Sequence, residues 1–78
     1  MSSYGEDWRI YEHLGDVEQA LNNKKEFIEN YEKSFEIFAG NEDVAEALAE
    51  YYSNSNPSRV IEICLKFKKE KELSLFLF

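Results

Sequence analysis

The chain has 78 residues, with 9 Lys and Arg against 16 Asp and Glu and a formal net charge of −7. That length suits one small domain, residues 1–78, and a content of 44% hydrophobic and 15% aromatic residues sets it apart from disordered segments, which lack the apolar surface to offset ordering. An excess of carboxylates repels phosphate and argues against a nucleic-acid partner, and no uninterrupted apolar run reaches the ~18 residues that a membrane span needs.

The first predicted element is a helix in which Tyr4, Trp8, Tyr11 and Leu14, spaced by 4, 3 and 3, line one face. Gly15 then offers the left-handed conformation that ends a helix, and Asp16, with Gln19 three residues on, reads as the cap of the next. From that cap Val17, Leu21, Lys24, Ile28, Tyr31, Phe35 and Phe38 alternate in steps of four and three, widened by Ala20, Phe27 and Ser34 and broken only by Lys24. No Gly or Pro falls between Asp16 and Gly40. The pattern therefore predicts one helix of about 23 residues, roughly 35 Å long, with a break near Asn30 as the alternative.

"AGNED" predicts a stop at Gly40 and a new cap at Asn41, with Glu42 and Asp43 favourably placed at the positive end of the helix dipole. The third helix covers "EDVAEALAEYYS", with Val44, Leu48 and Tyr51 on one face and Ala45 and Tyr52 beside it. "NSNPS" is a loop in which Asn56 can cap and Pro57 can open a fourth helix, where its missing N–H costs nothing. Two periods fit the remainder. As a helix it would largely bury Val60, Ile61, Cys64, Leu65 and Phe67; as strands, Ile61, Ile63, Leu65 and Phe67 alternate with polar neighbours, and "LSLFLF" alternates again. The fold expected is all-α, antiparallel helical hairpins or a small four-helix bundle, with an α+β chain carrying a strand pair from residues 59–78 as the alternative.

Tyr11, Leu14, Gly15, Asp16, Val17, Ala20 and Leu21 together resemble the centre of a tetratricopeptide repeat, and residues 45–61 echo it more faintly through Leu48, Ala49, Tyr52 and Ile61. The two echoes are further apart than the family's period of about 34 residues. The resemblance implies helical hairpins that present a groove to a peptide or partner protein. It also implies that Asn22, Asn23, Lys24 and Lys25 could clamp a partner's carboxylate. Read from the residues alone, Lys24 lays its methylenes on the core and lifts its ammonium to water.

Chemistry beyond binding finds little to work with. Cys64 is the one cysteine and His13 the one histidine, too few for a disulfide or a Cys-based zinc site, and no glycine-rich phosphate loop appears. Neither residue has the neighbours that activate a nucleophile or a base. No enzyme activity and no cofactor are expected, and the single thiol fits a reducing, cytoplasmic setting. "MSSYGEDWR" lacks the basic and apolar regions of a secretory signal.

Charge and aromatics point to proteins as partners. Residues 1–58 carry four basic side chains against thirteen acidic ones, whereas residues 59–78 carry five against three. The run "KFKKEKE" reads as a solvated helix end. Six Phe, five Tyr and one Trp exceed what so small a core easily hides, and "LSLFLF", with Phe76 and Phe78, must dock on the rest or be covered by another chain. The reading is an interaction module, an adaptor or small subunit, with Lys24, Lys25, Phe76 and Phe78 as candidate contacts and self-association open. The competing reading is an acidic inhibitor, an immunity protein, antitoxin or nucleic-acid mimic, that covers a basic site on its target.

Overall fold

Four helices follow one another: α1 (Trp8–Ala20), α2 (Lys24–Ile37), α3 (Glu42–Tyr52) and α4 (Pro57–Phe76). The structure, a computed structural model, describes the backbone of residues 7–76 and the side chains of residues 7–72. Among the described residues there is no strand, and the fold is all-α. Over residues 59–76 the chain is helical, so the alternative of a strand pair from residues 59–78 does not hold among the described residues. "KKEKE" offers no turn residue but five good helix formers, so the helix begun at Pro57 runs through it. The chain divides into two units, Met1–Phe38 and Ala39–Phe78, each holding one packed pair of helices.

In the first unit the turn does not fall at Gly15–Asp16. Helix α1 continues through both residues to Ala20 and ends on a Schellman-type cap. The Asn22 amide donates to the Gln19 carbonyl at 3.0 Å, and the Asn23 amide to the Glu18 carbonyl at 2.8 Å. Asn22 supplies the left-handed residue, φ 64°, and Gly15 does not. The hydrophobic contact that often closes such a cap is replaced by a hydrogen bond from Asn23 Nδ2 to Glu18 Oε1, 2.8 Å. The long helix expected from Asp16 to Gly40 is thus two pieces, broken at Asn22 and unbroken at Asn30, whose side-chain Nδ2 donates to the Glu26 carbonyl within α2. Helix α2 stops at Phe38, in extended backbone, before Gly40 is reached.

Gly15 has a different task, which is close approach. A Cβ there would stand 2.5 Å from Tyr31 Cδ1 and 3.3 Å from the Phe27 carbonyl oxygen, closer to the ring than any real Cβ packs. The pair is antiparallel: the Trp8 and Phe38 rings lie 5.2 Å apart and the Ser34 hydroxyl donates to the Trp8 carbonyl at 2.9 Å. Phe27, Ile28, Tyr31, Ser34 and Phe35 of α2 are buried. These are the stripe's residues on α2 apart from Lys24, which is exposed, and the stripe members Val17 on α1 and Leu21 at its C-cap are exposed as well.

The second unit follows its capping residues. Asn41 Oδ1 accepts from the Asp43 amide at 3.1 Å, with Glu42 and Asp43 in the first turn of α3. Asn56 Oδ1 accepts from the Arg59 amide at 3.3 Å, and Pro57 is the first residue of α4. Helices α3 and α4 pack together, and Val44, Leu48 and Ile63 are fully buried. The buried position of α4 is therefore Ile63, and Ile61, Cys64 and Leu65, expected inside, are exposed. With 100° between successive residues, Ile63 stands almost opposite Ile61 and Leu65, so one choice of inward face excludes the other.

Candidate functional site

The outer surface of α1 is the most distinctive apolar feature of the first unit. A helix that buries Gly15, and half-buries Trp8, Tyr11, Glu12 and Glu18, has one face committed to its neighbour. Ile10, Leu14, Val17 and Leu21, spaced by 4, 3 and 4, form a second stripe on the other side. All four are between 47% and 63% exposed. Single exposed apolar residues are ordinary on a protein surface, but an aligned row of four along about 16 Å of helix is a patch.

The charge of α1 as a whole is mostly negative. From Asp7 to Ala20 the chain carries four carboxylates and one guanidinium. That guanidinium is committed: Arg9 Nη2 lies 2.9 Å from Asp7 Oδ2, and its backbone amide donates to Oδ1 at 2.9 Å, the N-cap bond of α1. The Arg9 side-chain hydrogen bond, then its backbone donation, hold the Asp7 carboxyl below the ordinary carboxylate range, and Asp7 in turn raises Arg9. Asp16 Oδ1 accepts from the Tyr31 hydroxyl at 2.5 Å, and Lys33 Nζ sits 5.5 Å from the centre of the Tyr11 ring.

Beside the cap lies a surface depression of about 310 Å³ lined by Gln19, Asn22, Lys24 and Phe27. It brings together two of the four residues considered for a carboxylate clamp, Asn22 and Lys24. Asn23 turns its amide to Glu18, and Lys25 is exposed but does not line the depression. Phe76 closes α4 with its side chain outside the described residues, and Phe78 lies outside them altogether.

The second unit has its own depression, lined by Asn56, Ser58, Arg59 and Glu62. Arg59 spans it, 2.7 Å from Glu62 Oε1 and 5.8 Å from the centre of the Tyr52 ring. The hydrogen bond and then the charge of Arg59 lower the Glu62 carboxyl. Each charge here faces an opposite one or an aromatic ring, as in a structural ion pair.

The residues missed from sequence are those of the α1 stripe. Their spacing is legible, but a turn at Gly15–Asp16, as the sequence predicts, puts Leu14 on one helix and Val17 and Leu21 on another. Among the described residues no group of three or more His, Cys, Asp or Glu side chains is placed to hold a metal ion, and no helix is long and apolar enough to cross a membrane. No protein-family model, curated protein or solved structure matches this chain. The four helices are compatible with a helical-hairpin repeat, but residues 11–21 lie within α1 and its C-cap and do not form the Gly15–Asp16 elbow that the resemblance implied.

Proposed function

We propose that this protein is an interaction module that binds another protein through the outward stripe of α1. The observation that carries the reading is the alignment of Ile10, Leu14, Val17 and Leu21 on a helix whose opposite side is already packed. Covering the exposed half of four such side chains contributes about 1 kcal/mol each. A partner helix with its own apolar row fits this surface, as in helix-in-groove recognition. The depression lined by Gln19, Asn22, Lys24 and Phe27 is a further candidate contact on another side of α1, and the apolar C-terminal run with Phe76 and Phe78 is a second candidate.

The competing role, an acidic inhibitor seated on a basic site, draws on the net charge of −7. The two readings differ in what holds the complex together. A photo-crosslinking amino acid at position 14, compared with one at Glu46 on α3, tests the stripe. Capture of a partner from position 14 alone, abolished by Val17→Lys and little altered by salt, supports the module. Capture that is indifferent to Val17→Lys but disappears at high salt supports the inhibitor.

A further inference from the structure

The apolar row of α1 does not end with the helix. Its spacing of 4, 3 and 4 from Ile10 to Leu21 runs on through Lys24 to Ile28, Tyr31 and Phe35 in steps of 3, 4, 3 and 4. This is the a/d repeat of a coiled coil, sustained over nearly four heptads and interrupted only by Lys24. In the hairpin the row is divided: its α1 half is exposed, and Ile28, Tyr31 and Phe35 of α2 are buried. In one uninterrupted helix both halves share a single side, and the drift of about 20° per heptad is what a left-handed supercoil takes up.

The turn between the halves is weakly fixed. No Gly or Pro separates Asp16 from Gly40, so the left-handed φ of 64° falls to Asn22, which has a Cβ to accommodate. Asn23, the N-cap of α2, makes no side-chain capping bond, whereas Asp7, Asn41 and Asn56 each accept one from the first turn of α1, α3 and α4. Lys24 and Lys25 open α2 at the positive end of its dipole, where cations are disfavoured. A continuous helix removes that terminus and the left-handed residue together.

We propose that the α1–α2 hairpin opens at Asn22 into one helix, residues 8–37, which pairs antiparallel with the same helix of a second copy. This names the occupant of the α1 stripe and rests on the reading of that stripe as a docking surface. Four half-exposed side chains on α1 offer only part of the ~800 Å² per partner that a standard interface buries, and the uninterrupted row is about twice as long. The lysines select the antiparallel direction. A parallel pair sets Lys24 against Lys24 in the seam. With α1 of one copy along α2 of the other, Lys24 faces Leu21 of the second copy and Leu14 faces its Tyr31. Glu18 and Lys25, each one residue past a seam position, then flank the seam opposite one another, twice by symmetry, and opening releases Glu18 from Asn23 for that role. Opening also separates Trp8 from Phe38 and Asp16 from Tyr31, so the hairpin is the state of the single chain and rising concentration favours the pair.

Sedimentation and tryptophan fluorescence together supply the test. The wild-type chain of 9.2 kDa should form a discrete two-copy species as concentration rises towards about 1 mM. The emission of Trp8, the one tryptophan, should shift to the red in step with it, because the ring leaves Phe38 for water. Asn22→Gly suits the left-handed turn and disfavours a helix interior, so it should raise the dissociation constant of the pair about tenfold. Asn22→Ala has the opposite preferences and should lower it about tenfold. Asn22 is exposed, so both variants leave the packed faces of the hairpin intact. A photo-crosslinking amino acid at position 14 should capture a second copy at or near Tyr31.

A chain that stays monomeric even as Asn22→Ala, a dimer that leaves Trp8 emission unchanged, or Asn22 variants that move the dissociation constant in the same direction or not at all would each overturn the proposal. If the chain is monomeric while position 14 captures a different protein, pairing by opening fails and the docking reading of α1 survives. If position 14 captures neither another protein nor a second copy, both fail.

Discussion

The Tyr31 hydroxyl donates to Asp16 Oδ1 at 2.5 Å, and the same ring occupies the space that a side chain at Gly15 would need. One residue of α2 thereby fixes two consecutive residues of α1, and it sets which side of α1 faces inward. Tyr31→Phe keeps the ring and removes the hydrogen bond. The expected loss is about 1 kcal/mol, because the acceptor is charged but Asp16 itself is exposed to water. Chemical denaturation should register it as a lower midpoint with an unchanged slope.

Gly15→Ala sets two effects against each other. Alanine favours the interior of a helix by about 1 kcal/mol over glycine, whereas a methyl group 2.5 Å from the buried Tyr31 ring forces the helices apart. Overpacking of this kind costs typically about 1–3 kcal/mol. The net prediction is destabilisation, and Gly15→Val should be worse by a further ~1 kcal/mol or more. A thermal melt in which Gly15→Ala raises the midpoint would show that the turn, and not close packing, governs this position.

The faces of α4 predict opposite responses to equal truncations. Leu48→Ala on α3, and likewise Ile63→Ala, should cost about 2–5 kcal/mol, since both side chains are fully buried. Leu65→Ala should cost less than about 1 kcal/mol. If Leu65→Ala proves as damaging as Ile63→Ala in urea unfolding, α4 faces the other way.

These contrasts show what a sequence can and cannot disclose. Helix α3 and the start of α4 were legible because Asn41, Asn56 and Pro57 act through their own backbone neighbours, and local chemistry is written locally. The turn near Gly15 was not legible in the same way. A glycine serves equally as a left-handed cap or as a site of close approach, and the choice is made by Tyr31, far along the chain. The true cap was present as Asn22–Asn23, since asparagine is the residue after glycine that most readily adopts a left-handed conformation. A turn at Gly15 splits the row Ile10, Leu14, Val17 and Leu21 between two helices, whereas the cap at Asn22 keeps it on one. On α4, Ile61, Ile63 and Leu65 are alike in kind, so only packing against α3 distinguishes the buried one.

Acid should weaken both units modestly. Asp7 and Glu62 have carboxyl groups lowered by Arg9 and Arg59, so the folded chain holds their protons less tightly than the unfolded chain does. Their contribution is fully present above the unfolded carboxylate values near 4 and is lost as pH falls through the lower folded values. Carbon-detected titration of the two carboxyl groups should place both midpoints below those of free side chains. Removal of the guanidinium by Arg9→Gln or Arg59→Gln should return the corresponding midpoint upward.

The most direct measurement is the paired stability and binding of Leu14→Gln with Val17→Gln, which removes the apolar stripe without adding charge. The account predicts unfolding free energy within about 1 kcal/mol of wild type, because both side chains are already half exposed, together with loss of association through α1. A drop of several kcal/mol would place the stripe in the core, and unchanged association would place the binding surface elsewhere; either result would contradict it.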